Sequence, residues 1–169
     1  MKILGIDPGT ARTGFGLIQV KGKEIKFLNC GCIETFPTAS VQKRLVQTYS
    51  AIKKIIAKEK PHSIVIERLF FFKNMKTVMT VSQSRGVIMM ACEQHKVPIF
   101  EYTPLEIKQT LTGYGRAEKK EVLKSVKKIL KLKYDPKPDD VVDALATALC
   151  HHLKKSKIKT ENEKRQSKI

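Results

Sequence analysis

Asp7 ends the apolar run Ile3-Leu4-Gly5-Ile6 and is followed at once by Pro8-Gly9. A carboxylate therefore stands at the carboxyl end of a buried strand, where α/β sheets open their ligand crevices. Gly9 lets the backbone turn sharply or approach a phosphate. Taken alone, Asp7 is equally at home as a turn or cap acid. Glu67 repeats the placement, closing the strand Ser63-Ile64-Val65-Ile66. Asp140 and Asp143 are three positions apart, on one face of a helix, at the start of the otherwise apolar DVVDALATAL. Asp139 beside them is read as a stabiliser of the helix N-terminus. Two ionised carboxylates at the ends of neighbouring strands repel each other, and a bound divalent cation removes that cost. Oxygen ligands without a His-rich or Cys-rich cluster suit Mg2+ or Mn2+ rather than zinc. With two such ions, one activates water and the other stabilises the leaving oxygen in phosphodiester hydrolysis.

The charge of the chain points the same way. Thirty-three Lys and Arg against 16 Asp and Glu give a formal net charge of +17, so the first expectation is a polyanionic partner, with a ribosome-associated or merely basic protein as the alternative. Residues 154 to 169 hold seven basic and two acidic side chains, so the tail accounts for only part of the excess. Nine basic and two acidic residues between Lys108 and Lys133 make a concentrated surface for backbone phosphates. There Lys108 and Lys119 border the loop Gly113-Tyr114-Gly115, with Arg116 and Lys120 close by, and a lysine at the site could also steady charge on the transferring phosphoryl group. Phe70, Phe71 and Phe72 follow Glu67 closely and cannot all point into one core. At least one is free to stack on or wedge between bases, or else to make a loop or dimer contact. His151 lies eight residues after Asp143, about 12 Å along a helix. That distance disfavours metal ligation, so His151 and His152 are expected in surface or partly buried packing. Cys30, Cys32, Cys92 and Cys150 lack a C-x-x-C spacing and are read as buried thiols.

These residues need elements to hold them. Lys2 to Asp7, Thr13 to Val20 and Ile25 to Thr35 read as strands of an antiparallel meander, the last two joined by Lys21-Gly22-Lys23. Helical spacing from about Val41 to Lys58, capped by Ser40, precedes the Ser63 to Glu67 strand, whose continuous apolar character suits a central strand buried on both faces. A helix over about 75 to 95 carries Met75, Met79, Met89 and Met90 as core filler or subunit contact. A fifth strand at Val97 to Tyr102 is followed by a short helix from Pro104, a basic helix over 117 to 130, and a last helix from Asp139 through Leu153. The order predicts an α/β domain with a mixed five-stranded sheet and helices on both faces, spanning 1–153, with a basic, flexible tail over 154–169. No apolar run is long enough for a transmembrane helix and no cleavable signal is evident, so a cytoplasmic protein is expected.

Several long motifs also resemble one family. ILGIDPGTARTGFG, IVIERLFFFKN, QSRGV at 83 to 87, FEYTPLEIKQTLTGYGRAEK at 100 to 119 and DDVVDALATAL at 139 to 149 occur in the order found in the RuvC crossover junction endodeoxyribonucleases of bacteria. The resemblance covers the chain to about residue 152. It implies a ribonuclease-H-like fold, a homodimer, and magnesium-dependent paired nicking of Holliday junctions, with Mn2+ able to substitute and two ions per site. It places the metal ligands and catalytic carboxylates on Asp7, Glu67, Asp140 and Asp143, a base-contacting aromatic on Phe70, and lysines for DNA handling on Lys108 and Lys119. Partnership with RuvA and RuvB is implied too. A catalytically inactive junction-binding relative, or a nuclease of the same fold acting on RNA or duplex DNA, remains the alternative. An actin-like or sugar-kinase ATPase would need a second lobe for which 169 residues leave no room.

Overall fold

The computed structural model describes residues 1–68 and 75–166, so the expectations for Phe70, Phe71 and Phe72 lie outside the described residues. Its sheet is built from β1 (Lys2–Asp7), β2 (Arg12–Lys21), β3 (Glu24–Glu34), β4 (Ser63–Glu67) and β5 (Ile99–Tyr102). Across the sheet the order is β3-β2-β1-β4-β5. β1 pairs antiparallel with β2, and β2 with β3, as the meander requires. Gly22, at φ 59, supplies the left-handed residue of the β2–β3 turn. β1 and β4 run parallel, as do β4 and β5, so Asp7 and Glu67 finish neighbouring strands at the same end.

Among the described residues, five helices cover the sheet: α1 (Val41–Glu59), α2 (Met75–Gln94), α3 (Pro104–Thr112), α4 (Lys119–Leu130) and α5 (Asp139–Gln166). Ser40 caps α1 by accepting from the Lys43 backbone N–H. Thr103 and Glu106 form a reciprocal capping box on α3, which ends at Gly113 in the left-handed region. β5 begins two residues later than expected because Pro98, without an N–H, cannot enter the ladder as a donor. α4 likewise starts at Lys119, after its N-cap Glu118.

Period-two alternation divides the strands between two cores. Leu4, Ile6, Leu17, Ile64 and Ile66 face Ile52 and Ile56 of α1 and Ile88 of α2. Ile3, Ile18 and Val65 face the opposite way, toward α4 and α5 through Val126, Leu145 and Leu149. Ile64, Val65 and Ile66 are all fully buried, as a central strand demands.

Three local readings change. The last helix, expected to run through Leu153, continues to Gln166. The Lys- and Glu-rich sequence that follows loses its apolar face but keeps strong helix propensity. His151 is fully buried rather than at the surface, with its Nδ1 3.0 Å from the Tyr102 hydroxyl and its ring 4.3 Å from that of Phe100. Its position on α5 puts it against β5, where the Tyr102 hydroxyl partners Nδ1 while Nε2 is buried without a hydrogen bond, and burial favours the neutral imidazole. Among the methionines, Met79 and Met90 are exposed while Met89 packs against the core. Cys92 and Cys150 are buried, but Cys30 and Cys32 are only partly so; all four are free thiols.

Candidate active site

The same alternation decides where the strand-end acids point. Counting in twos from Ile3 and Val65, both on the α5 side, leads to Asp7 and Glu67. Both carboxylates thus leave the sheet on the face that α5 covers. The remaining step is to bring α5 close enough, and glycine does this. Gly5 and Gly16 are register partners, and Gly14 is opposite Asp7. A Cβ on Gly14 would fall 2.0 Å from the carbonyl oxygen of Asp140, and one on Gly5 2.0 Å from that of Ala144. A Cβ on Gly16 would meet the Leu145 side chain at 2.7 Å. The strands are bare where the helix lies on them, so the backbone of α5 sits nearly on the backbone of the sheet. Asp140 and Asp143, in its first two turns, are carried to the ends of β1 and β4.

The four acids share one electrostatic field. Burial, then Glu67, Asp143 and Asp140, hold the Asp7 carboxyl well above the ordinary range. Burial and then Asp143 push Glu67 up to about 7, against the pull of Lys108 and Lys119. Asp143 is raised by burial first, with Lys119 opposing and Asp139 and Asp140 adding. Such a pocket favours either protonation or a cation. Part of that cationic charge is already supplied by Lys119, whose Nζ lies 3.3 Å from Asp139 and 3.7 Å from Asp143.

The candidate cation site passes a chemical test but is not a preformed cage. Among the described residues, no three ligand side chains are drawn together tightly enough to hold an ion as they stand. The donors are nevertheless all carboxylate oxygens, the type a hard divalent cation takes. The Asp140 Oδ2 atom is buried without a hydrogen bond, with Arg12 Nε 3.2 Å away. A buried carboxylate oxygen that makes no hydrogen bond, beside acids raised by burial and then by one another's charge, fits a divalent cation in addition to Arg12.

Glu67, Lys108, Lys119 and Asp143 line one cleft together with Pro104, Ile107 and Val122. An adjoining cleft shares Lys119 and Asp143 and adds Lys120 and Asp139. Of the basic residues singled out in the sequence, Lys108, Lys119 and Lys120 therefore border the acids. Arg116 is exposed in the α3–α4 connection, and no described contact draws it to the acids. Asp139 sits at the start of α5 and also holds Lys119, which extends its expected role.

Arg12 was missed, because nothing in a sequence links it to a residue 128 positions away. The anchoring of the turn after Asp7 was missed for the same reason. Buried Ser84 of α2 donates its hydroxyl to the Gly9 carbonyl at 3.0 Å, and the Thr13 hydroxyl donates to the same oxygen at 3.0 Å. The glycines had a readable signal: Gly14 and Gly16 alternate inside a strand, which marks close approach of another backbone.

Comparison with known proteins follows this geometry. The family model described as crossover junction endodeoxyribonuclease RuvC matches residues 3–151, a span that contains all four acids and the glycine surface. The RuvC of Caldicellulosiruptor saccharolyticus is 48% identical over 159 residues, 94% of this chain and 96% of that protein. Thermus thermophilus RuvC superposes with a TM-score of 0.84 at 31% identity, covering 90% of this chain and 94% of its own. The same protein in complex with a Holliday junction substrate gives 0.86 at 32% identity, with 90% and 93% covered. The mixed five-stranded sheet with helices on both faces is accordingly of the ribonuclease-H-like type. Agreement over nearly the whole length, in sequence and in backbone, leads to one conclusion: this chain belongs to the RuvC family of crossover junction endodeoxyribonucleases.

Proposed function

We propose that the protein resolves four-way DNA junctions by paired phosphodiester hydrolysis, using Asp7, Glu67, Asp140 and Asp143 to hold two Mg2+ ions. The observation that carries this reading is the glycine-bared contact of α5 with β1 and β2, which delivers two helix acids to two strand-end acids. When bound, the ions would supply water activation and neutralisation of charge on the leaving oxygen. Lys108 and Lys119, lining the cleft with Glu67 and Asp143, orient the scissile phosphate and offset its charge. Lys120 extends the phosphate track into the neighbouring cleft, and Arg116 meets the backbone farther out. Phe70, which the sequence places three residues beyond Glu67, is assigned the contact with an unstacked junction base.

One set of acids per chain makes one nick, whereas a two-fold junction needs two. A C2 homodimer supplies the second site. Met79 and Met90, exposed on α2, are available to such an interface. RuvA and RuvB are the expected partners for branch migration. No described helix is long and apolar enough to cross a membrane.

The test compares a synthetic four-way junction with linear duplex of the same sequence in Mg2+. Paired nicks near the junction centre, with much weaker cutting of the duplex, are expected. Equal cleavage of both would remove the junction-specific assignment, and RNA cleavage in preference to either would move the chain to another activity.

A further inference from the structure

We infer that a second surface, at the pole of the sheet opposite the carboxylates, docks an acidic peptide segment bearing apolar side chains from a partner protein. The surface is a cleft of about 600 Å3 between the start of β3 and the end of α4. Its floor includes Phe27, Ile129 and Leu132, half-buried residues at the margin of the α5-side core. Lys23, Lys26 and Lys131 form its rim. Glu24 lies 3.5 Å from Lys26 and offsets it. Lys23 and Lys131 are exposed and have no ion pair among the described residues. The cleft exists because α4 ends here: Lys131 adopts φ 55, and its N–H bonds back to the Lys127 carbonyl, so the chain turns away before reaching the β2–β3 turn.

Topology separates this pole from the proposed chemistry. Lys2 pairs with Gln19 near the β2–β3 turn, whereas Asp7 pairs with Gly14 at the other end. The length of β1 puts about 17 Å between those ends. Along α4, Lys119 and Leu130 are separated by about 16 Å of rise. The rim lysines therefore cannot reach a phosphate held at the acids.

The chemistry selects the occupant. Duplex DNA presents phosphates to a basic surface and needs no apolar floor. A peptide can set Phe or Leu side chains on Phe27, Ile129 and Leu132 while its carboxylates face Lys23 and Lys131. β3 is also an edge strand, so its outer backbone groups can accept an extended segment as an added strand. The chain's own tail, with seven basic residues against two acidic, has the wrong sign, and the second copy of the proposed homodimer is already assigned to α2 through Met79 and Met90.

Fluorescence anisotropy with the full chain tests the inference, using a short labelled peptide of alternating Asp or Glu and Phe or Leu. The wild type should bind it, and a control with Ser at the apolar positions should bind at least about tenfold more weakly, or about 1.4 kcal/mol. Lys23→Glu combined with Lys26→Glu should weaken the apolar peptide by at least about tenfold too, with junction cleavage unchanged. Both substitutions are at exposed positions, and an unchanged melting temperature will verify the fold. Absence of binding, equal affinity for the Ser control, or wild-type affinity in the double variant would each overturn the inference. Loss of junction binding in that variant would reassign the pole to DNA.

Discussion

Glu67→Gln should raise the stability of the metal-free protein at alkaline pH while ending cleavage. Burial and Asp143 hold the Glu67 carboxyl at about 7 instead of 4.5. A carboxyl raised on folding binds its proton more tightly in the folded state. The stabilisation is therefore fully present below the unfolded value of 4.5 and is lost as pH rises through about 7. At about 1.4 kcal/mol per pH unit, ionising this group at about pH 8 costs about 3 kcal/mol. Gln keeps the shape and removes the charge. In a chain of this size the gain corresponds to about 6–12 °C in Tm. Scanning calorimetry in a chelator should show that gain at about pH 8, shrinking to under about 1 kcal/mol at about pH 5. Comparing the two proteins at one pH removes the contribution of His151, which titrates over an overlapping range with the opposite sign. Mg2+ should then stabilise the wild type at high pH more than the variant. A Glu67→Gln protein no more stable than wild type, or one whose advantage is the same at both pH values, would refute the picture of acids crowded for a cation.

Three further outcomes follow from particular contacts. Gly14→Ala places a methyl 2.0 Å from the Asp140 carbonyl oxygen and must lift the first turn of α5. The expected destabilisation is about 1–3 kcal/mol, and displacement of Asp140 by about 1 Å should slow cleavage by about a hundredfold; denaturant melts and single-turnover rates will measure both. His151 is held down to about 4 from 6.5, by burial first and then by Lys155 and His152. A histidine depressed on folding stabilises the protein above its unfolded value and loses that contribution as pH falls, so His151→Phe should flatten the loss of stability between about pH 6.5 and 4, as acid melts will show. Ser84→Ala removes the hydroxyl that holds the Gly9 carbonyl and should lower the cleavage rate with little change in junction affinity, checked by rate and binding assays on one substrate.

The sequence made the strand ends legible because Asp7 and Glu67 each close a run of apolar residues, and both runs became adjacent parallel strands. The helix acids were legible through their three-residue spacing. What could not be read was the depth of the α5 contact, which depends on Gly5 and Gly16 becoming register partners across two strands. Arg12 beside Asp140 and Ser84 on Gly9 are tertiary contacts with no local signal. His151 was expected in surface or partly buried packing because the sequence does not show which strand α5 crosses there, whereas β5 lies close enough to bury it fully. The end of α5 was misjudged because loss of an apolar face was equated with loss of helix, although Lys, Glu and Gln sustain one by propensity.

The central claim is that these carboxylates perform the hydrolysis while other residues hold the DNA. The most direct measurement is single-turnover cleavage of a four-way junction by Asp7→Asn, made alongside a binding titration in Ca2+ that keeps the DNA intact. The account predicts junction affinity within about threefold of wild type, since the phosphate-contacting lysines are untouched, and cleavage reduced to background. Wild-type cleavage by Asp7→Asn would contradict it.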